Sequence, residues 1–145
     1  MFVIRKQFKF ELSHQLDEAY SKSCTDCIHG HSYLCEVFFK SKDLDETGMV
    51  IDFGLVKKII GNYMNQWDHA LALSEPLYNA YMDNEAFRNN NKKVIKTMYN
   101  PTAEEMSRDI YNYIKKVLKA HAPHVSLKSV RLHETTTGWA EYSEE

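Results

Sequence analysis

The segment Ile28-His29-Gly30-His31-Ser32-Tyr33-Leu34-Cys35-Glu36-Val37-Phe38-Phe39-Lys40 decides the fold. Side chains alternate between the two faces of an extended strand, so residues two apart share one. Tyr33, Cys35, Val37 and Phe39 therefore form an apolar row, and His29 and His31 continue it toward the start of the strand. One strand thus carries core along most of its length and two convergent imidazoles at one end. Upstream, Phe8, Phe10 and Leu12 alternate with Lys9 and Glu11, which predicts a first strand over about Val3 to Ser13. His14, next in that parity, projects from the same kind of face. A polar connection, Gln15 to Asp26, joins the two strands and leads into Cys24-Thr25-Asp26-Cys27.

Downstream, Asp43-Leu44-Asp45-Glu46-Thr47-Gly48 reads as a turn. The period then changes. Phe53, Val56, Ile60, Tyr63 and Trp67 recur at intervals of three and four, predicting an amphipathic helix with Asp52 as N-cap. The stretch from about Ser74 to Tyr99 is Asn-rich and weakly periodic, and is expected to be an insertion or lid with one short helix. Pro101-Thr102-Ala103-Glu104-Glu105 starts a second long helix, with Thr102 and Glu105 as a capping box and Met106, Ile110, Ile114, Val117 and Leu118 as its buried stripe. Two further strands, Ser126 to Glu134 and about Trp139 to Tyr142, close the chain. The expected order is ββααββ, an α+β domain spanning residues 1–145 with two helices covering one face of an antiparallel sheet.

Composition sets the limits on function. The chain has 145 residues, 43% hydrophobic and 26% charged, with a formal charge of −2. A near-neutral chain lacks the basic face on which nucleic-acid binding depends, so no nucleic-acid partner is expected. No apolar run reaches membrane-spanning length, and the first residues place apolar groups before charges, the reverse of a secretion signal. Three cysteines, an odd number, suit reduced thiols in the cytoplasm better than a disulfide framework.

Three constellations carry chemistry. His14, His29 and His31 can supply three imidazoles to a zinc ion, leaving a fourth position open for water or substrate. A structural site using Cys24 and Cys27 with His29 and His31 competes with that reading, as do two surface histidines beside buried thiols. Asp68-His69 follows the first long helix. A carboxylate beside an imidazole can orient it and raise its basicity, provided the helix ends there. Glu134, at the end of a strand and before Thr135-Thr136-Thr137-Gly138, can accept two parallel hydrogen bonds from an amidine-like edge such as that of a pterin or guanine. Each of the last two also reads as an ordinary polar end of an element, and Glu104 suits a helix's first turn by charge alone.

In combination, Ser13-His14, Cys24 with His29-Gly30-His31, Gly48-Met49-Val50-Ile51-Asp52-Phe53, Asp68-His69, Asn100-Pro101-Thr102-Ala103-Glu104 and His133-Glu134-Thr135 resemble the 6-pyruvoyltetrahydropterin synthase and 6-carboxytetrahydropterin synthase family over nearly the whole chain. The resemblance implies the tunnelling fold, with ββααββ subunits forming trimers that stack as a homohexamer with active sites between subunits. Glu134 would then meet the histidine-bound zinc of a neighbouring chain. It also implies a lyase acting on 7,8-dihydroneopterin triphosphate, with His14, His29 and His31 holding zinc, Cys24 as general base, and Asp68 and His69 completing a proton relay. Glu134 would anchor the pterin, and Thr102, Glu104 and Thr135 lie in the motifs on the substrate side.

Two products fall within that implied family. Loss of triphosphate and acetaldehyde gives 6-carboxytetrahydropterin, a step toward 7-deazaguanine nucleosides such as queuosine; the alternative is the pyruvoyl product or a related dihydroneopterin cleavage. Cys24 is separated from His29 by four residues and Cys27 by one, a spacing that departs from the family's usual one. Cys24 can return over the metal on a flexible loop. Cys27 shares the histidine parity and stands as a fourth ligand or a second thiol. A non-catalytic zinc module built on both cysteines is the reading from another functional class.

Overall fold

The computed structural model describes residues 1–144. The two alternating segments pair as expected: β1 (Phe2–His14) and β2 (His29–Ser41) run antiparallel over their full length, from Phe2 opposite Ser41 to His14 opposite His29. That register decides the site, because it brings His14 across from His29 and Leu12 across from His31. Between them lies one four-residue helix, α1 (Lys22–Thr25).

The helix α2 (Phe53–Asn65) starts where the sequence indicates, with Asp52 accepting hydrogen bonds from the amides of Gly54 and Leu55. Val56, Ile60 and Met64 are its buried residues, and Trp67 just beyond it is 1% exposed. Phe53, expected in that stripe, lies instead at the first turn with 47% of its surface in solvent and Lys6 over its ring.

Next come β3 (Ala70–Ser74), α3 (Glu75–Met82), α4 (Glu85–Asn90) and β4 (Val94–Thr97). The 74–99 stretch is therefore built from two short helices and a strand, where one short helix was expected. The helix α5 (Ala103–His121) follows, then β5 (Ser126–His133) and β6 (Trp139–Tyr142). Thr102 caps α5 by accepting from the Glu105 amide at 3.3 Å. The reciprocal half of the capping box is absent: the Thr102 amide donates to the Asn100 carbonyl, and the Glu105 carboxylate turns to Arg108.

The six strands form one sheet in the order β4-β3-β1-β2-β5-β6. Its antiparallel part, β1-β2-β5-β6, is the expected ββ and ββ set. The other edge adds β3 and β4, both in parallel pairing, so the sheet as a whole is mixed. The buried rows of β1 and β2 meet α2 and α5 in one hydrophobic core, with Phe10, Tyr33, Phe39, Trp67, Ile110 and Ile114 among its residues. No helix is long and apolar enough to cross a membrane, among the described residues.

Candidate metal centre and surrounding active site

Where the apolar row of β2 reaches the end of the sheet, it passes from Tyr33 into imidazoles. The candidate ligand nitrogens of His14, His29 and His31 all lie within 4.8 Å of one another. Their ring centroids are 4.6, 5.0 and 5.2 Å apart, set edge to face, with the Tyr33 ring 5.6 Å from His31. The residue between the two β2 histidines faces the neighbouring strand closely. A Cβ on Gly30 would stand 3.3 Å from the Ser13 hydroxyl oxygen and 3.5 Å from the Leu12 carbonyl oxygen.

The donor set fits a cation. His14 Nδ1 faces the Pro101 carbonyl at 2.9 Å and His29 Nδ1 faces the Cys27 carbonyl at 3.0 Å. A carbonyl only accepts, so each Nδ1 carries its ring proton there, which assigns the tautomers and leaves both Nε2 atoms as lone pairs. Those two Nε2 atoms stand 3.0 Å apart, and the buried Nε2 of His31 has no hydrogen-bond partner. Lone pairs converging on one point with no donor between them repel unless a positive ion occupies that point.

Electrostatics agree. Burial lowers the His14 pKa, and the neighbouring His29 and His31 lower it further, against the opposing effect of the Pro101 bond and Glu134. Burial also lowers His31, with Glu134 opposing. Neutral imidazoles are the form that binds a metal. Three histidines accept zinc and other divalent ions alike.

No cysteine belongs to this cluster among the described residues. Cys27 is exposed, and its contribution is the backbone carbonyl that orients His29; its thiol is not a fourth ligand here. Cys24 is half-buried on α1, held by the Leu16 amide donating to its carbonyl at 2.9 Å and by Gln15 Nε2 donating to the Thr25 carbonyl at 2.5 Å. Among the described residues, no cluster unites both cysteines with His29 and His31.

Glu134 Oε1 lies 3.5 Å from His31 Nε2 in the same chain. The pairing of β2 with β5 places His133 opposite Leu34 and so delivers Glu134 to the imidazole end of β2 within one chain. Glu134 and Thr135 line a hollow of about 350 Å³ together with Thr102 and Glu104, so the four candidate substrate residues share one wall. Thr135 and Thr102 also have local duties. The Thr135 hydroxyl accepts from the Gly138 amide, closing the β5–β6 turn, and Thr102 caps α5.

The Asp68-His69 pair follows the end of α2, as its chemistry requires. Asp68 accepts from the Glu11 amide at 2.8 Å and its other oxygen stands 3.0 Å from His69 Nδ1. The Glu11 hydrogen bond, first, and the His69 contact, second, hold the Asp68 carboxyl below its usual range. His69 has φ of 55°, in the left-handed region, and among described residues is the one non-glycine there. Such a conformation costs about 1 kcal/mol or more in a residue with a Cβ and persists where surrounding contacts hold it. His69 and His31 both line a second hollow of about 520 Å³.

Three supports went unassigned at the level of sequence. The Pro101 carbonyl orients His14; the Asn100 side chain accepts from the Asp17 amide and donates to the Glu18 carbonyl; Tyr33 floors the imidazoles. The Asn100-Pro101 dipeptide ahead of an N-cap was the one available signal.

A family model described as 6-pyruvoyl tetrahydropterin synthase matches residues 3–145. The chain belongs to this family. It is 34% identical over 152 residues to a 6-carboxy-5,6,7,8-tetrahydropterin synthase of Haemophilus influenzae, with 99% of this chain and 100% of that protein covered. It is 31% identical over 147 residues to the Helicobacter pylori (strain J99) protein of the same name, covering 96% of this chain and 71% of the relative. Among solved structures, an uncharacterised protein of Wolinella succinogenes superposes with a TM-score of 0.81 at 18% identity, covering 99% of this chain and 98% of the other. The 6-pyruvoyl tetrahydropterin synthase of Caenorhabditis elegans gives 0.68 at 21% identity, covering 99% and 96%. These superpositions establish the shared tunnelling fold of the family member.

Proposed function

We propose that this member of the family is a metal-dependent 6-carboxytetrahydropterin synthase, converting 7,8-dihydroneopterin triphosphate and water to 6-carboxytetrahydropterin with loss of triphosphate and acetaldehyde. The observation that carries the reading is the convergence of three imidazole nitrogens beside Glu134, within one chain. The names of the relatives at 31% and 34% identity select the carboxy product over the pyruvoyl one.

His14, His29 and His31 would hold the ion, taken as zinc from the ligand type. A bound divalent cation supplies a Lewis acid that makes side-chain hydroxyls, and the carbon-bound hydrogens beside them, more acidic. Glu134 accepts two parallel hydrogen bonds from the pterin's amino and ring N–H groups, fixing the ring against the imidazoles. Thr102, Glu104 and Thr135 complete the wall on which the ring lies. Cys24 is the base that removes a carbon-bound proton; Cys27 is the alternative thiol. Asp68 orients His69, which carries protons to and from the substrate. The chain is taken as one domain over residues 1–145, assembled as a homohexamer in the cytoplasm, in the pathway to queuosine.

The test is product analysis of the metal-loaded protein with 7,8-dihydroneopterin triphosphate. Acetaldehyde in equal amount to 6-carboxytetrahydropterin is expected. A pyruvoyl product without acetaldehyde would move the assignment to the other branch of the family.

A further inference from the structure

The 74–99 stretch carries, just before β4, a contact that reaches into the candidate relay. Lys93, immediately before β4, places its ammonium on two backbone carbonyls, those of Asn65 at 3.1 Å and Asp68 at 2.5 Å. Asn65 is the last residue of α2, so the cation sits at the negative end of that helix. The Asn65 carbonyl also receives the Asp68 amide at 3.1 Å, which closes the turn that the ammonium covers. The Lys93 carbonyl in turn accepts from the Leu71 amide at 3.0 Å, so the lysine bridges both sides of Asp68-His69.

That turn needs outside support. His69 holds a left-handed φ, and its side chain is 80% exposed, so packing of the imidazole does not fix it. Two further bonds do hold it, both to the backbone of Glu11: its amide donates to Asp68 Oδ1, and its carbonyl accepts from the His69 amide at 2.7 Å. Glu11 fixes the pair from the β1 side. Lys93 is the fastening from the other side.

We propose that Lys93 is a positioning residue for the Asp68–His69 relay, and that the 74–99 stretch serves through it as a brace of the active site. The ammonium holds the Asp68 carbonyl so that its carboxylate stays aimed at His69 Nδ1 while His69 keeps its strained backbone. In this role Lys93 acts through Asp68, and it also lines the hollow that His69 and His31 share. The kinetic half of the proposal rests on the function proposed above.

The experiment compares metal-loaded wild type with Lys93→Met, Lys93→Gln and Lys93→Arg, reading kcat and KM separately and amide hydrogen exchange at Glu11 and His69. For Lys93→Met the expected result is kcat lower by about tenfold, KM within twofold of wild type, and faster exchange at those two amides alone. Lys93→Arg, which keeps a cationic donor, restores most of kcat. Should Lys93→Met fail to fold, Lys93→Gln reports the same quantities with the charge removed. Unchanged exchange at Glu11 and His69 overturns the proposal whatever the kinetics do, and so does a loss confined to KM. If wild type fails to turn over dihydroneopterin triphosphate, the functional reading falls, while the exchange data still decide whether Lys93 holds the turn.

Discussion

Removing the metal and lowering the pH should destabilise this protein in a window set by two histidines. Burial holds His14 and His31 below the ordinary imidazole value, so the unfolded chain takes up protons first as pH falls. Unfolding is then favoured, and the stability that these neutral rings share above about pH 6.5 is lost progressively below it. Between pH 6.5 and 5.5, protonation of the unfolded chain can cost at most about 1 kcal/mol per ring, hence a ceiling of about 2 kcal/mol for the pair. For a chain of this size that ceiling corresponds to roughly 4–8 °C in Tm. Glu36 and Asp68 are lowered carboxylates, whose stabilising effect is present above their unfolded values and disappears only below about pH 5. The histidine window is therefore separate. Thermal unfolding by circular dichroism, in EDTA and in zinc, from pH 5 to 8, measures it. Zinc at a thousandfold excess over its Kd should add about 4 kcal/mol at pH 7.5 and much less at pH 5.5, because protons compete for the same nitrogens. His14→Ala should halve the acid slope in EDTA and abolish the zinc effect. A flat EDTA profile from pH 5.5 to 7, or a zinc effect that survives in His14→Ala, would refute the three-imidazole argument.

Two further outcomes follow from the loop that bears the thiols. Cys24→Ala should retain the full metal complement by atomic absorption while losing at least a hundredfold in kcat; loss of the metal instead would restore the cysteine-ligand reading. Tyr81→Phe removes the donor to Gln15 Oε1, a 2.6 Å bond to a residue 7% exposed, and so should cost about 1–3 kcal/mol. Because Gln15 also holds the Thr25 carbonyl, Cys24 should react faster with a thiol reagent in Tyr81→Phe, and an unchanged rate would remove α3 from any role in fixing the loop.

Legibility followed the chemistry of each signal. Strands β1, β2, β5 and β6 bury one face, and their alternation was plain. Strand β3 reads Ala70-Leu71-Ala72-Leu73-Ser74 with every residue buried, so it has no alternation to detect, and it pairs in parallel on both sides. The parallel edge was therefore invisible, and with it the order of the 74–99 stretch. Phe53 kept the helical period yet lies exposed, because the period cannot register that the first turn of α2 overhangs the core.

At the site the same division separates side chains from backbone. His14, His29, His31, Asp68, His69 and Glu134 carry their chemistry in the side chain, so their identity and spacing announce it. The supports found for His14, His29 and the Asp68–His69 pair are backbone groups, the carbonyls of Pro101 and Cys27 and both the amide and the carbonyl of Glu11, and such groups are common to nearly every residue. Cys27 illustrates the consequence: its thiol is the residue type that reads as a metal ligand, whereas its carbonyl is the group that meets the candidate centre, by fixing the tautomer of His29. Lys93 is the converse, an exposed lysine in a polar run, made specific only by the two carbonyls at its tip. A side chain whose partner is backbone leaves no pair of residue types to read. The precision of this centre accordingly depends on register and turn geometry, which is why a substitution that keeps every imidazole but shifts β1 against β2 should abolish metal binding as completely as removing a ligand.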